Sequence, residues 1–539
     1  MPESDQPEHP HSQSRPRRAL AAICLTLSCL TGLSIPAGAT SCRDSVTPER
    51  VPPVVWIALD ELPLGSLLTA EGRIDKKLYP GFAKLADLAT WYPQARTLAP
   101  STGAAMPSLL TGQLPGPGPE LPAGPTLAEY LAPSVPFTGE RPWCSTNACQ
   151  PAYQAAGKAR CPQAEWCVET QRSWGWYRLL ATITPTTAGR GVWYEHIVMP
   201  HAPWNILDNG QEYLPRNAAR GFQTDSALQF ATDAQGQRIF TQSYWTGQSA
   251  HVAVLNQAHL IQLAYVDRMI SHTLDTVVSG GHLDETLLIV TADHGMAFTP
   301  NESGRAIRRA PRSLAQVLSV PLFIKYPHQA RGIIDRREAS IIDVLPTVLD
   351  VAGIRPLARL DGRSLRAAPG PGRAIPLIGF QVPGGTVPVG PANLEVLTAW
   401  REGFTRLDSV KDLYRPGIHG QLLGRQISRL ERGASTGLTA TLESPIPAQF
   451  VTTNLAPVLA YGEIPGARRG DTVVVVEDGV VAGVGTIWMD TVTPRFQIIL
   501  DRRLVKKSST RVQLHLIRRN TMVLEPLDLG GGQDVLPIR

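Results

Sequence analysis

Short apolar runs, almost free of charged residues, recur through the first two thirds of the chain. Three of them are 54–59 (VVWIAL), 286–291 (TLLIVT) and 320–326 (VPLFIKY), and such runs are typical of strands buried on both faces of a parallel sheet. Between the first two, helical spacing relates Val254, Ala258, Ile261, Tyr265 and Met269, which predicts a long helix with one apolar face. Strands that alternate with helices predict an α/β fold with a doubly wound, mostly parallel sheet.

The last part of the chain changes to shorter, β-rich segments. They lie at 472–476, 480–487, 496–500 and 511–517, and Glu477-Asp478-Gly479 between the first two suits a hairpin turn. Before them, 367–392 is dense in Pro and Gly, which predicts a linker. The predicted organisation is a leader with a disordered N-terminus (1–40), a main α/β domain (50–366) with a Cys-rich insertion (139–173), a Pro/Gly-rich linker and core-packing segment (367–450), and a small antiparallel β module (451–539).

Composition and charge narrow the class of protein. With 539 residues, of which 43% are hydrophobic and 18% charged, the chain can bury a large core, and this excludes a mostly disordered protein. The net charge of +5 is small for this length and the basic residues are scattered, so nothing indicates a nucleic-acid partner. A small anionic substrate is compatible with this charge.

The N-terminal segment indicates export. A polar stretch that ends in Arg17-Arg18 precedes an uncharged apolar run, 19–35, and Ala37-Gly38-Ala39 offers small residues for a signal peptidase. Left uncut, the run could anchor the protein in a membrane, but we favour a cleaved signal peptide. In both cases we expect an exported protein. It would be periplasmic or extracellular, or it would be anchored to the outer face of the cytoplasmic membrane. In the anchored case the membrane surface would be a partner.

Four cysteines are concentrated in the predicted insertion: Cys144, Cys149, Cys161 and Cys167. An even cluster in an exported chain predicts disulfides, with the pairing left open. A zinc site is the weaker alternative, because the gaps between these residues are wide for zinc ligands and no histidine lies between them.

Acidic residues directly follow two of the predicted strands. Asp60 and Glu61 come after the first strand, and Asp293 and His294 after the second. The carboxyl ends of parallel strands are where α/β proteins bind ligands, and carboxylate and imidazole groups together form a plausible divalent-metal set. The alternative is a pair of solvated strand ends with one structural histidine.

A loop rich in small and hydroxyl residues lies between those strands. The segment 100–112 (PSTGAAMPSLLTG) predicts a turn that opens a helix, and the N–H groups at a helix N-terminus can bind a tetrahedral oxyanion. Thr102 is therefore a candidate nucleophile. By itself the same pattern is also the ordinary signature of a helix N-cap.

In their order along the chain, these motifs resemble the sulfatase/alkaline-phosphatase superfamily. Two further stretches agree with it: 199–204 (MPHAPW) resembles the family's Pro-His-x-Pro loop, and 343–354 (DVLPTVLDVAGI) its helix beyond the site. The resemblance spans Val54–Ile354, a little over half of the chain. Most similar are sulfatase-like proteins of the bacterial envelope that carry a Thr nucleophile.

The resemblance implies a role for each matching residue. One divalent metal ion, which could be Mn, Zn, Mg or Ca, would be bound by Asp60, Glu61, Asp293 and His294. Thr102 would be the nucleophile. His201 would contact the substrate, although it could instead be structural. Sulfatases proper carry a Cys or Ser converted to formylglycine within Cys/Ser-x-Pro-x-Arg, whereas this chain has 102–106 (TGAAM). The resemblance therefore implies phosphoryl transfer rather than formylglycine-dependent sulfate hydrolysis.

A basic segment follows the second acidic strand end. Arg305, Arg308 and Arg309 could bind a second anionic group of the substrate, or they could simply form a solvated loop.

Three functions stay open. The first is a metal-dependent hydrolase or phospho-group transferase with a covalent Thr intermediate, acting on a small anionic or a lipid- or glycan-linked envelope substrate. The second is a sulfate-ester hydrolase without formylglycine, and the third is a non-catalytic glycan- or envelope-binding protein on the same fold.

Overall fold

The computed structural model describes most of the chain after residue 50. The described residues are 51–114, 124–139, 174–183, 189–214, 228–232, 238–243, 249–302, 304–305, 311–370, 375–377, 386–387, 393–443, 458–490, 492–504 and 512–530. The leader, the four cysteines of the insertion, Arg308 and Arg309 lie outside them, so the predicted signal peptide or anchor and the predicted disulfides stay predictions. Among the described helices, none is long and apolar enough to cross a membrane.

The described strands and helices run in the following order. The strands are β1 Val54–Asp60, β2 Thr90–Trp91, β3 Ala95–Arg96, β4 Phe137–Gly139, β5 Val192–Pro200, β6 Leu228–Thr232, β7 Arg238–Ser243, β8 Leu287–Ala292, β9 Leu322–Lys325, β10 Ile333–Ile334, β11 Ala339–Ser340, β12 Ile375–Pro376, β13 Thr386–Val387, β14 Thr439–Leu442, β15 Leu459–Glu463, β16 Thr472–Glu477, β17 Val480–Thr486, β18 Trp488–Asp490, β19 Thr493–Ile499, β20 Val512–Ile517, β21 Glu525–Pro526 and β22 Asp528–Leu529. The α-helices are α1 Pro80–Leu88, α2 Thr102–Thr111, α3 Leu127–Leu131, α4 Trp174–Thr182, α5 Ser249–Ser279, α6 Pro311–Leu318, α7 Val344–Val351 and α8 Leu394–Thr398.

The main sheet has seven strands in the order β10-β2-β9-β8-β1-β5-β4. Strand β1 pairs in parallel with both β5 and β8, and every described residue of β1 is buried, as the continuous apolar run predicts. Strand β9, the third predicted strand, is antiparallel to both of its neighbours. The sheet is therefore mostly parallel, and the predicted α/β class is confirmed.

The order β5-β1-β8 determines where the site lies. Because these three strands are adjacent and parallel, their carboxyl ends meet at one edge of the sheet. Asp60 ends β1, Asp293 follows β8 directly, and His201 follows β5 directly. Residues far apart in the sequence are thus brought to one edge by strand pairing alone.

The long predicted helix is α5, and it is buried over most of its length. All five residues of the predicted apolar face are buried, but so are polar residues on other faces, including Gln257, His259, Gln262 and Asp267. The carboxylate of Asp267 accepts hydrogen bonds from the backbone N–H groups of Gly81 and Phe82, at 3.0 and 2.7 Å, and so satisfies the N-terminus of α1. Helix α5 is therefore a central element rather than an amphipathic surface helix.

The C-terminal part forms separate, mainly antiparallel sheets, as predicted. Their strand orders are β18-β19-β15-β14-β22 and β17-β16-β20-β21. Strands β16 and β17 form the predicted hairpin, and Asp478 and Gly479 have φ of 49° and 76°, the positive values that a type I′ turn needs at both central positions.

The segment between the two sheet systems packs on the main one. The indole N–H of Trp400 donates to the Gly65 carbonyl at 2.9 Å, and Arg401 pairs with Asp75 at 2.9 Å. Strand β14 already belongs to a C-terminal sheet although it lies before residue 451. The domain boundaries themselves remain predictions, since 48–539 forms one compact unit.

Candidate active site

The end of β1 supplies two consecutive buried carboxylates. Asp60 and Glu61 are 4% and 1% exposed. Glu61 has φ of 63°, a left-handed conformation that is uncommon for residues other than glycine and is concentrated at functional sites. The backbone N–H of Glu61 donates to Oδ1 of Asp293 at 3.1 Å, which joins the ends of β1 and β8.

Asp60, Asp293 and His294 form a group that could bind a metal ion. One ligand atom of each lies within 4.8 Å of the others, and all three side chains are buried. Nδ1 of His294 donates to the Gly295 carbonyl at 3.0 Å, which leaves the lone pair on Nε2 directed at the carboxylates. Oδ2 of Asp293 accepts no hydrogen bond from any described residue. A fully buried carboxylate oxygen in that state fits a bound cation.

Gly295 permits the close packing behind this group. A Cβ at this position would lie 2.4 Å from the carbonyl oxygen of Gln316 and 3.0 Å from Cα of Pro63. A larger residue would therefore push the strand end away from its neighbours and displace His294.

Thr102 is the first residue of α2, and its hydroxyl faces the acidic group. Its Oγ1 lies 3.3 Å from Oδ1 of Asp60 and 3.5 Å from Nε2 of His294. Ser101, not Thr102, occupies the N-cap position. Thr102 is half-buried, so part of the residue stays accessible to solvent.

His201 begins the loop that follows β5. Gln262 of α5 donates to the carbonyls of Pro200 and His201 at 3.1 and 3.2 Å, and the indole of Trp204 donates to Pro200 at 2.9 Å. The peptide bonds Met199-Pro200 and Ala202-Pro203 are both cis. A buried residue of α5 thus fixes the loop that presents His201 to the site.

Arg305 is the described member of the basic segment, and it reaches into the site. Its Nη2 lies 2.6 Å from Oε1 of Glu61 and 3.0 Å from Nε2 of His201. Its Nη1 lies 2.9 Å from Nε2 of His294 and donates to the Pro100 carbonyl at 3.0 Å. The guanidinium therefore connects the loops after β1, β5 and β8 with the loop that precedes Thr102.

The structure adds His196, which the sequence reasoning did not identify. His196 lies within β5, is 6% exposed, and has Nε2 at 3.8 Å from Oδ2 of both Asp60 and Asp293. The available signal was Glu195-His196, two ionisable residues inside the otherwise apolar run of β5. Their significance depends on β5 being the neighbour of β1.

Charge compensation keeps Glu61 and Asp293 ionised despite burial. Burial by itself would raise the pKa of Glu61, but Arg305, His201, His294 and the N–H of Ala202 together hold it below its ordinary value. For Asp293, burial is likewise outweighed by His294, by His196 and by the N–H of Glu61, so its pKa is also lowered. The site is therefore anionic and prepared for a cation.

Comparison with known proteins matches part of the chain to one family model. Residues 180–354 match the family model described as Sulfatase, and this range includes the His201 loop and the ends of β5 and β8. This part of the chain matches a sulfatase domain, which supports the predicted sulfatase/alkaline-phosphatase superfamily. The predictions of the family and of an enzyme of this family are confirmed, and metal dependence is a property of that family.

Individual relatives are distant. A protein named Sulfatase from Formosa agariphila is 25% identical over 121 residues, which are 22% of this chain and 23% of the relative, so the match spans less than a quarter of that protein. A phosphonate monoester hydrolase from Silicibacter pomeroyi is 20% identical, covering 60% of this chain and 78% of that one, with a TM-score of 0.42. A phosphonate monoester hydrolase from Agrobacterium radiobacter is 18% identical, covering 58% and 76%, with a TM-score of 0.41. Likenesses this distant indicate neither the substrate nor the mechanism of this protein.

Proposed function

We propose that this protein is a metal-dependent hydrolase or transferase that cleaves a phosphoryl-linked group through a covalent intermediate on Thr102. One observation carries the proposal: the Thr102 hydroxyl lies 3.3 Å from Asp60 and 3.5 Å from His294, within the group of residues that could bind a metal ion. A hydroxyl in this position can act as a nucleophile once its proton is taken up and the developing charge is offset.

A divalent ion would be held by Asp60, Asp293 and His294, and when bound it would supply positive charge beside the hydroxyl and the transferred group. The identity of the metal is open. Oδ1 of Asp60 can accept the proton of the Thr102 hydroxyl as its oxygen attacks phosphorus. The bond from phosphorus to the leaving oxygen breaks as the bond to Oγ1 forms.

Two other residues can support this chemistry. His201 is 29% exposed at its side chain and is the candidate to protonate the leaving oxygen. Arg305 lies 2.9 Å from Nε2 of His294 and can bind an oxygen of the transferred group, since its planar guanidinium suits tetrahedral oxyanions. Water or an alcohol then displaces the phosphoryl group from Oγ1 and restores the hydroxyl.

The residues around Thr102 favour phosphate over sulfate. Formylglycine formation needs a convertible Cys or Ser with a following Pro and Arg in the motif, and 102–106 (TGAAM) has none of them. The match to the Sulfatase family model keeps sulfate esters as the second candidate substrate. An exported location is supported by the apolar run 19–35 and by the small residues Ala37-Gly38-Ala39 after it. The resemblance to sulfatase-like proteins of the bacterial envelope supports an envelope substrate, linked to a lipid or a glycan.

The test compares wild type with Thr102→Ala on a chromogenic phosphate monoester, phosphate diester, phosphonate monoester and sulfate ester, each with added Mn²⁺, Zn²⁺, Mg²⁺ or Ca²⁺. We expect activity on a phosphorus ester and its loss in the variant. Acid quench during turnover, followed by mass spectrometry, should detect a phosphorylated peptide that contains Thr102.

Each result decides a different part of the proposal. Turnover of the sulfate ester alone would favour the second candidate. Equal activity of wild type and Thr102→Ala would contradict the covalent mechanism.

A further inference from the structure

The carboxylates of Asp60 and Glu61 diverge although the residues are adjacent. The left-handed φ of 63° at Glu61 turns the chain sharply after β1. The backbone N–H of Glu61 stays with the acidic group, since it donates to Oδ1 of Asp293. Its side chain leaves that group, and Glu61 is not part of the set of ligand atoms that Asp60, Asp293 and His294 form.

The side chain of Glu61 instead has its own set of partners. Oε1 pairs with Nη2 of Arg305 at 2.6 Å, and Oε2 accepts a hydrogen bond from the N–H of Ala202 at 3.1 Å. Oε2 also lies 3.8 Å from Nδ1 of His201. A carboxylate that is 1% exposed needs charge compensation, and a guanidinium at this distance provides it without a metal ion.

Arg305 is held by Glu61 next to the candidate nucleophile. The same Nε2 of His294 lies 2.9 Å from Nη1 of Arg305 and 3.5 Å from Oγ1 of Thr102. That nitrogen has one lone pair, which an N–H donor and a metal ion cannot use together. When His294 binds a metal, the N–H of Arg305 Nη1 that faces His294 must donate to another acceptor. The oxygens of an anion beside Thr102 are suitable acceptors. Nη2 of Arg305 meanwhile keeps its ion pair with Glu61.

We propose that Glu61 is a positioning residue and not a metal ligand: it orients Arg305 and the His201 loop toward a tetrahedral oxyanion at Thr102. The orienting role toward an oxyanion rests on the proposed function, whereas the exclusion of Glu61 from the metal site rests only on the geometry of Glu61. Separate experiments test the two roles.

The first experiment titrates Mn²⁺ into the metal-free full chain by calorimetry. We expect Glu61→Gln to bind Mn²⁺ within about threefold of wild type, whereas Asp293→Asn loses roughly a hundredfold or more, because it removes a direct ligand. Glu302→Gln is the matched control, since this carboxylate in the same loop binds Ser313. A loss in Glu61→Gln equal to that in Asp293→Asn would overturn the proposal.

The second experiment measures binding of inorganic phosphate and, separately, inorganic sulfate to the Mn²⁺-loaded proteins. Glu61→Gln and Arg305→Gln should each weaken the preferred anion about tenfold, the effect of losing one charge-assisted contact. The double variant should be no weaker than either single one, because both changes remove the same contact. The preferred anion distinguishes a phosphate from a sulfate substrate.

Two outcomes of the second experiment contradict the proposal in different ways. If wild type binds an anion and Glu61→Gln binds it equally well, the positioning role is wrong and the proposed function is unaffected. If wild type binds neither anion, the proposed function and the orienting role of Glu61 both fail.

Discussion

The hydroxyl of Thr102 lies 3.3 Å from Oδ1 of Asp60, although 42 positions separate the two residues. Asp60 is fixed at the end of the central strand β1, and Thr102 is the first residue of α2. The contact therefore joins a rigid strand end to a helix N-terminus, where backbone N–H groups favour an anion. This arrangement makes the chemistry at Thr102 sensitive to small changes of side chain.

Replacing Thr102 should separate nucleophilic from structural roles. Thr102→Ser keeps an oxygen at the same position, and we expect it to retain activity on the preferred ester. Thr102→Val keeps the branched shape but removes the oxygen, and we expect kcat/KM to fall by roughly a thousandfold or more. Thermal unfolding of both variants is the control. A Thr102→Val protein with wild-type stability and wild-type kcat/KM would contradict the nucleophilic role.

Metal binding should stabilise the fold measurably. A cation that binds the folded chain at a hundred times its Kd adds about 2.7 kcal/mol to the free energy of unfolding. We therefore expect EDTA to lower the melting temperature of wild type and excess metal to restore it. Asp293→Asn lacks a buried carboxylate whose Oδ2 accepts no hydrogen bond from any described residue, so its melting temperature should respond little to either. An equal response of variant and wild type would place the metal elsewhere.

The acidic strand ends were predictable because their signal is local. An apolar run that stops at Asp60 or Asp293 identifies a buried strand and the point where it opens, and the parallel order brings such ends together. Strand pairing itself carries no comparable signal. His196 lies within β5, and only the register of β5 against β1 brings its imidazole to within 3.8 Å of both carboxylates.

The sequence likewise could not predict that the side chains of Asp60 and Glu61 have different partners. Two adjacent acids suggest shared ligation, and only the left-handed backbone of Glu61 shows that their carboxylates diverge. Arg305 was a candidate from its position after the strand end, but its pairing with Glu61 bridges loops more than two hundred residues apart. Long-range contacts of this kind depend on tertiary structure and not on residue pattern.

The packing of the segment after the main domain against that domain should depend on Gly65. A Cβ at this position would lie 2.2 Å from the carbonyl oxygen of Leu397 in α8. We expect Gly65→Ala to lower the free energy of unfolding by about 2 kcal/mol, because the backbones must separate. Gly403→Ala is the matched control, since a Cβ there meets nothing within 4 Å. Urea unfolding of both variants measures the difference, and equal midpoints would contradict the close packing.

A buried histidine should make the stability of the protein depend on pH. His259 of α5 is fully buried, its Nε2 lies 3.1 Å from the Ser66 hydroxyl, and its ring packs against Trp204 and Phe298. Burial lowers its pKa from 6.5 to about 4, opposed in part by Glu61. The folded protein therefore keeps this imidazole neutral where the unfolded chain would protonate it.

The lowered pKa of His259 makes the folded protein less stable at acidic pH. The contribution of His259 to stability is complete above pH 6.5 and is lost progressively as the pH falls toward about 4, a loss of up to about 3 kcal/mol. His259→Gln cannot be protonated and keeps a polar partner for Ser66. We expect the difference in unfolding free energy between wild type and His259→Gln to shrink as the pH falls from 7 to 4, because only wild type loses the contribution of His259. The metal site contributes equally to both proteins and cancels in this difference. Parallel pH curves for the two proteins would show that His259 titrates alike in the folded and unfolded states.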